Sequence, residues 1–264
     1  MRLFDTHTHL CDRAFDKFRD RLMAQIAASD VKICVEVGWD FASSQAGAAL
    51  AEKYPGMVYA AVGCHPHDAK DFSEKQLERI AELVKTHPGV VALGEIGLDF
   101  YRDNSPRDVQ RYWFSAQLAV AKELGCPIVI HSRDADQECF DTLKASGVMG
   151  KNRVQIHCYS GSAEMAKEYV KLGANISLGG AVTFKNARRP VEVARSIPLE
   201  NLMLETDCPY MAPVPYRGKI NNPTYIRLVA EKIAQVRGVD AEEIAEATFR
   251  NALDFFGIEY EDKV

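Results

Sequence analysis

The sequence predicts an α/β fold closed into a (β/α)8, or TIM, barrel that forms one domain over residues 1–264. Three observations carry this expectation. Eight short apolar runs alternate with amphipathic stretches of helical length along the whole chain. Metal-compatible side chains stand at the C-terminal ends of runs one, four, five, six and eight, and strands so far apart in sequence converge only if the sheet closes on itself. No Gly-x-Gly-x-x-Gly follows the first run, so the alternative, an open doubly wound sheet, lacks its dinucleotide signature.

The runs are Leu3–Thr6, Lys32–Val37, Val58–Gly63, Val90–Glu95, Pro127–His131, Arg153–His157, Ala174–Leu178 and Leu202–Glu205. They are rich in Val, Ile and Leu, as strands covered on both faces are. Several helix boundaries are marked between and after them. Ser73-Glu-Lys-Gln76 reads as a capping box, and Asp240-Ala-Glu-Glu243 as a second with Asp in the Ser/Thr place. Ser105-Pro106 sets a cap residue before a proline at the first helical position. Gly125 and Gly173 supply helix stops. There is no low-complexity tract, linker or internal repeat, which is why one domain is the simplest account.

Composition narrows the function. No apolar run approaches the roughly 18 residues of a membrane span, and the chain enters a charged strand at once, without a signal peptide. Seven cysteines are scattered without a CxxC, which argues against a disulfide framework and predicts a reducing, cytoplasmic setting. The net charge of −5 argues against a protein that coats nucleic acid, yet leaves room for a local phosphate pocket.

The first strand ends in Asp5-Thr-His7-Thr-His9. Alternate residues of a strand share a face, so His7 and His9 project side by side, as two ligands of one ion would. Glu95 lies in an apolar run, where a carboxylate is costly to bury unless it is paired or bound to metal. Its two oxygens suit a bridge. His7, His9 and Glu95 would hold one divalent ion, and Glu95, His131 and His157 a second. Asp207 would reach the first ion and a water between the two. The imidazole-rich set favours zinc or another first-row metal such as Co over calcium, while Mg or Mn stays open because carboxylates and water complete the shell. A metal pair of this kind acidifies a water and polarises an electrophile for hydrolysis. Asp207 is the expected general base, with Glu205, two residues earlier, as a second catalytic candidate or an orienting partner.

The substrate side is marked by cations. His65 follows the third strand and is expected to face the mouth as a substrate or supporting group rather than a ligand. Arg133 follows His131, and Arg217 and Lys219 lie on a long loop after the last strand. Arginine forks match phosphate oxygens in pairs. Tyr101, Tyr159 and Tyr216 are candidates for stacking on a base. His67 has no clear place, and His87, at a helix end before Pro88, reads as a surface residue.

The segments Phe4-Asp-Thr-His-Thr-His-Leu10, Gly63-Cys-His-Pro66, Gly94-Glu-Ile-Gly-Leu-Asp99, Ile130-His-Ser-Arg133, His157-Cys-Tyr-Ser-Gly161 and Leu204-Glu-Thr-Asp-Cys-Pro-Tyr210 together resemble the TatD family of metal-dependent deoxyribonucleases, within the amidohydrolase-like hydrolases. The resemblance spans essentially the whole chain. It implies a TIM barrel with a two-metal site and hydrolysis of DNA phosphodiesters, as an exonuclease on single strands or 3′ ends. It gives metal roles to His7, His9, Glu95, His131, His157 and Asp207, and phosphate contacts to His65, Arg133 and Arg217. The departures are small: Tyr159 stands where Phe is frequent, and Cys208 where Ala or Ser is. No membrane and no obligate protein partner are expected.

Two rivals share these residues. An amidohydrolase acting on a C–N or ester bond of a small molecule would use the same chemistry, although many such enzymes bridge their metals with a carbamylated lysine where Glu95 stands here. A DNA-binding module with a structural metal would need only a closed set of four ligands.

Overall fold

The computed structural model describes residues 1–261. Eight parallel strands pair in sequence order: β1 (Leu3–Thr8), β2 (Val31–Val37), β3 (Val58–Val62), β4 (Val90–Asp99), β5 (Ile128–Arg133), β6 (Val154–Ile156), β7 (Ala174–Leu178) and β8 (Leu202–Leu204). The helices between and after them are α1 (Arg19–Ala27), α2 (Phe41–Lys53), α3 (Glu74–Thr86), α4 (Arg107–Leu124), α5 (Asp136–Ser146), α6 (Ala163–Lys171), α7 (Arg188–Ser196), α8 (Ile226–Arg237) and α9 (Ala241–Phe256). The predicted barrel is therefore present. Its last seam, between β1 and β8, closes mainly at the C-terminal mouth. There His9 N–H donates to Cys208 O at 2.9 Å, Asp207 N–H to His7 O at 3.0 Å, and Thr8 bridges Cys208.

Strand alternation sorts the core into two parts. Outward residues such as Leu3, Val31, Leu93 and Ile130 pack under the helices. Inward ones, Phe4, Val35, Val129 and Met203 among them, join Phe249, Phe255 and Phe256 of α9. The Phe4 ring stacks on Phe256 at 5.7 Å and meets Phe249 edge-on. The helix after the eighth βα unit thus plugs the N-terminal end of the barrel with aromatic area. Above that floor, polar inward residues take over on the same strand faces: Thr6 two residues after Phe4, His131 after Val129 and Glu205 after Met203.

Strand ends differ from the sequence expectation where the site is built. β4 runs on to Asp99, so Glu95 lies within the strand. It is re-aimed by an irregularity: Leu93 pairs with Ile128 and Ile96 with Ile130, three steps on β4 against two on β5. A similar slip separates Asp5–Thr8 of β1 from Cys34–Glu36 of β2. β6 and β8 stop early, leaving His157 and Asp207 on the loops that follow.

The caps are mixed. Ser73 and Asp240 are N-cap residues as expected, but neither side chain bonds to the helix backbone; Ser73 donates instead to the Gln76 side chain. Ser105 is not a cap. Pro106 takes that position, and the Ser105 hydroxyl is drawn into a bridge between Lys70 N–H and His67 O. A full capping box forms at Asp40 and Ser43 of α2. Gly125 ends α4 in the left-handed conformation as expected. All seven cysteines are free thiols, and no described helix is long and apolar enough to cross a membrane.

Candidate metal centre at the barrel mouth

His7 and His9 converge at the top of β1. Their Nε2 atoms lie 3.3 Å apart, and His7 Nε2 is also 3.3 Å from Glu95 Oε2. His9 Nε2 lies 3.4 Å from Asp207 Oδ1. Ligands around a tetrahedral zinc ion at metal–nitrogen distances of about 2.0–2.1 Å stand roughly 3.3 Å apart. The other His9 nitrogen, Nδ1, donates to Val37 O at 2.9 Å, which leaves Nε2 as the nitrogen able to ligate an ion. Two imidazole nitrogens and a carboxylate oxygen clustered in a buried pocket suit a shared cation, so this donor set fits a divalent metal.

The other carboxylate oxygen serves a second group. Glu95 Oε1 lies 2.7 Å from His131 Nδ1 and 2.6 Å from His157 Nε2, while these two nitrogens are 3.3 Å apart. The His7 and His157 rings stack at 3.9 Å, which sets the two donor groups side by side. Glu95 is almost fully buried. Burial pushes its carboxyl up, but the facing histidines, His157 foremost, more than offset this and hold it well below the usual carboxylate range.

The predicted ligands His7, His9, Glu95, His131, His157 and Asp207 are thus brought together. The fate of the other predicted residues varies. His65 reaches Glu95 Oε1 at 3.4 Å, yet its Nδ1 accepts from His67 N–H at 3.1 Å. Burial pushes its imidazole down to about 4, so it is neutral with the proton on Nε2, which makes it a donor toward Glu95 rather than a ligand. Arg133 is on the rim of a cavity of about 950 Å³ that also opens onto His9, Glu95, His157 and Asp207. Arg217 is not on that cavity; it lies over the Phe184 ring at 3.7 Å. Glu205 is fully buried below His157, its Oε1 3.7 Å from Nδ1, and does not line the cavity. Of the two roles expected for Glu205, that position favours orienting an imidazole over acting directly on a substrate.

Supporting residues complete the site, several of them not anticipated. Asp99, fully buried, contacts His131 Nε2 at 3.2 Å and His67 Nε2 at 2.7 Å, which gives His67 its place. Its other oxygen accepts from Tyr101 and Arg102 N–H, so this carboxylate is rigidly held. Glu36 accepts from Leu10 N–H at 2.5 Å and Cys11 N–H at 2.9 Å and fixes the turn after His9. Asp5 accepts from Thr206 N–H at 2.8 Å and its hydroxyl at 2.5 Å, anchoring the chain just before Asp207. Only Asp99 left a sequence signal, as an acidic residue closing the apolar run after Glu95. His87 caps α3 and contacts Glu52, away from the site, with its side chain mostly buried. Tyr159 is buried and not available for stacking, whereas Tyr101 is exposed beneath Arg133.

A parallel barrel with a histidine and carboxylate cluster at its C-terminal mouth defines the class of barrel metal-dependent hydrolases. The sequence matches the family model "TatD related DNase" over residues 4–257. It is 43% identical to the uncharacterized metal-dependent hydrolase YabD of Bacillus subtilis, across 97% of this chain and 99% of that one. It is 35% identical to the 3′-5′ ssDNA/RNA exonuclease TatD of Escherichia fergusonii, across 98% and 100%. The crystal structure of YJJV, a TatD homologue from Escherichia coli K12, superposes with a TM-score of 0.91 at 30% identity, covering 98% of this chain and 99% of that one. The chain belongs to the TatD family and is a metal-dependent hydrolase.

Proposed function

We propose that this protein is a two-metal deoxyribonuclease that hydrolyses phosphodiesters of single-stranded DNA from an end. The observation that carries this reading is the division of Glu95, whose Oε2 faces the β1 histidine and whose Oε1 faces His131 and His157. One carboxylate shared by two nitrogen groups is what a bridged metal pair requires. The exonuclease name of the Escherichia fergusonii relative supports the substrate class.

His7, His9 and Asp207 would hold one ion and His131 with His157 the other, Zn, Mn, Co and Mg all being compatible with the donors. When bound, such a pair acidifies a water and neutralises charge on a phosphoryl group. The protein's own share follows from position. Asp207, partly open to the cavity, takes the proton of the attacking water on its carboxylate. His9 and the Asp5–Thr206 anchor hold that carboxylate in place. His65 steadies Glu95 through Nε2–H, and Arg133 on the rim meets a non-bridging phosphate oxygen.

The test is end-labelled single-stranded DNA incubated with metal-loaded protein, with and without chelator. Chelator-sensitive shortening from one end is expected. Protein that degrades no DNA with Mg, Mn, Co or Zn, yet opens a cyclic amide or ester, would establish the amidohydrolase rival instead.

A further inference from the structure

We propose that the loops after β7 and β8 form a track for the single-stranded polynucleotide that extends beyond the cleaved bond, an inference resting on the nuclease reading of the mouth. Lys185, Arg188, Arg189, Arg217 and Lys219 supply its charge. The stretches 179–191 and 208–226 contain these five cations and no acidic residue, in a chain whose net charge is −5. All five are exposed, and among the described residues none has a carboxylate partner. Some other surface cations are paired, such as Arg19 with Asp16, Lys53 with Asp20, Arg107 with Asp103 and Arg227 with Glu231, and others such as Lys75 and Lys151 are not; what sets this face apart is five cations clustered with no acidic residue among them.

The two loops are one surface. Thr183 accepts from Val214 N–H at 2.9 Å, and the Arg217 guanidinium lies over Phe184. Tyr216 stacks on Tyr225 at 4.2 Å and has Lys219 beside its ring. Cations alternating with aromatic rings are the composition that binds single strands without regard to sequence. The surface is continuous with the mouth: Gly180 packs so closely on Met211 that a Cβ there would meet its carbonyl at 2.0 Å, and Met211 lines the catalytic cavity. Arg188 and Arg189 also sit in the first turn of α7, where the helix dipole disfavours cations and no acidic residue offsets them. Their placement works against the helix and suits an external anion. Arg217 therefore acts on the strand outside the mouth, not on the phosphate being cleaved.

The test measures binding of metal-loaded protein to labelled phosphorothioate oligothymidylates of about 4 and about 20 nucleotides at several salt concentrations. Wild-type protein binds the longer strand more tightly. The K185Q/R188Q/R189Q/R217Q/K219Q variant loses that gain, about tenfold or more, and its salt slope falls by about 0.7 for each phosphate contact removed. The charge-conserving K185R/R188K/R189K/R217K/K219R variant keeps it, which separates charge from folding. A length gain and slope unchanged in the glutamine variant, or no length gain in the wild type, overturns the track. With unmodified single-stranded DNA as the cleavage substrate alongside, length-dependent binding of the phosphorothioate without any cleavage of the unmodified strand would leave the track standing and refute the nuclease reading; cleavage with binding unchanged in the glutamine variant would do the reverse.

Discussion

Glu205 and His157 face each other inside the barrel, Oε1 to Nδ1 at 3.7 Å, an ion-pair distance too long for a hydrogen bond, and neither atom has a hydrogen-bond partner. The second Glu205 oxygen is held by the Ser177 hydroxyl at 2.5 Å, and Ser177 in turn accepts from the Gln155 amide, which also reaches Thr6. The carboxylate is thus positioned by a polar layer between the aromatic floor and the mouth, so that it meets His157 from below with His7 close by.

Glu205→Gln should lower activity about 10–100-fold, the range seen when a partner of a metal-ligating histidine is removed. Metal content measured alongside turnover checks the assignment. Weakened metal retention together with the lower rate is expected, because the imidazole loses its orientation. A large loss of rate with unchanged metal affinity and unchanged substrate KM would point to direct catalysis and contradict the buried position.

The histidine pair of β1 makes a separate prediction. In His7→Ala/His9→Ala, one ion of the pair should be lost while His131, His157 and Glu95 retain the other. Metal analysis after dialysis reads this directly. Loss of both ions would mean that the Glu95 bridge cannot hold one position without the other.

Much of this was legible because burial constrains sequence. Strands covered on both faces must be continuously apolar, so their run lengths and a charged residue among them, such as Glu95, stand out. What stayed hidden is set by contacts far apart in sequence. The pairing of His67 with Asp99 spans 32 positions, and the role of Glu36 depends on backbone N–H groups that carry no sequence signal. Arg217 read as a pocket residue because its loop follows the last strand, yet Phe184 from the neighbouring loop captures its guanidinium outside the cavity. Likewise Ser105 carries a cap signature, but two backbone groups compete successfully for its hydroxyl.

Asp207→Asn should separate proton acceptance from metal binding. The amide keeps an oxygen toward His9 and the ion but is a far poorer base. Turnover should fall about 10²–10⁴-fold, the usual share of a general base, with metal content and thermal stability near wild type. Parallel loss of metal and rate would instead make Asp207 chiefly a ligand.

Gly97→Ala tests the strand geometry that aims Glu95 and His131. Gly97 has φ +149°, and an added Cβ would lie 1.9 Å from the His131 carbonyl oxygen on the paired strand. Nothing there is a flexible side-chain end, so the backbones of β4 and β5 must separate. Backbone strain and overpacking each cost roughly 1–3 kcal/mol. The melting temperature should drop by several degrees. Metal affinity should fall with it, because His131 sits at the point of contact. Gly150→Ala is the control: its φ is also positive, at +76°, but the added Cβ meets nothing within 4 Å. It should carry backbone strain alone, with metal affinity unchanged. Equal effects of the two substitutions on metal binding would show that close packing of β4 against β5 does not set the ligand geometry.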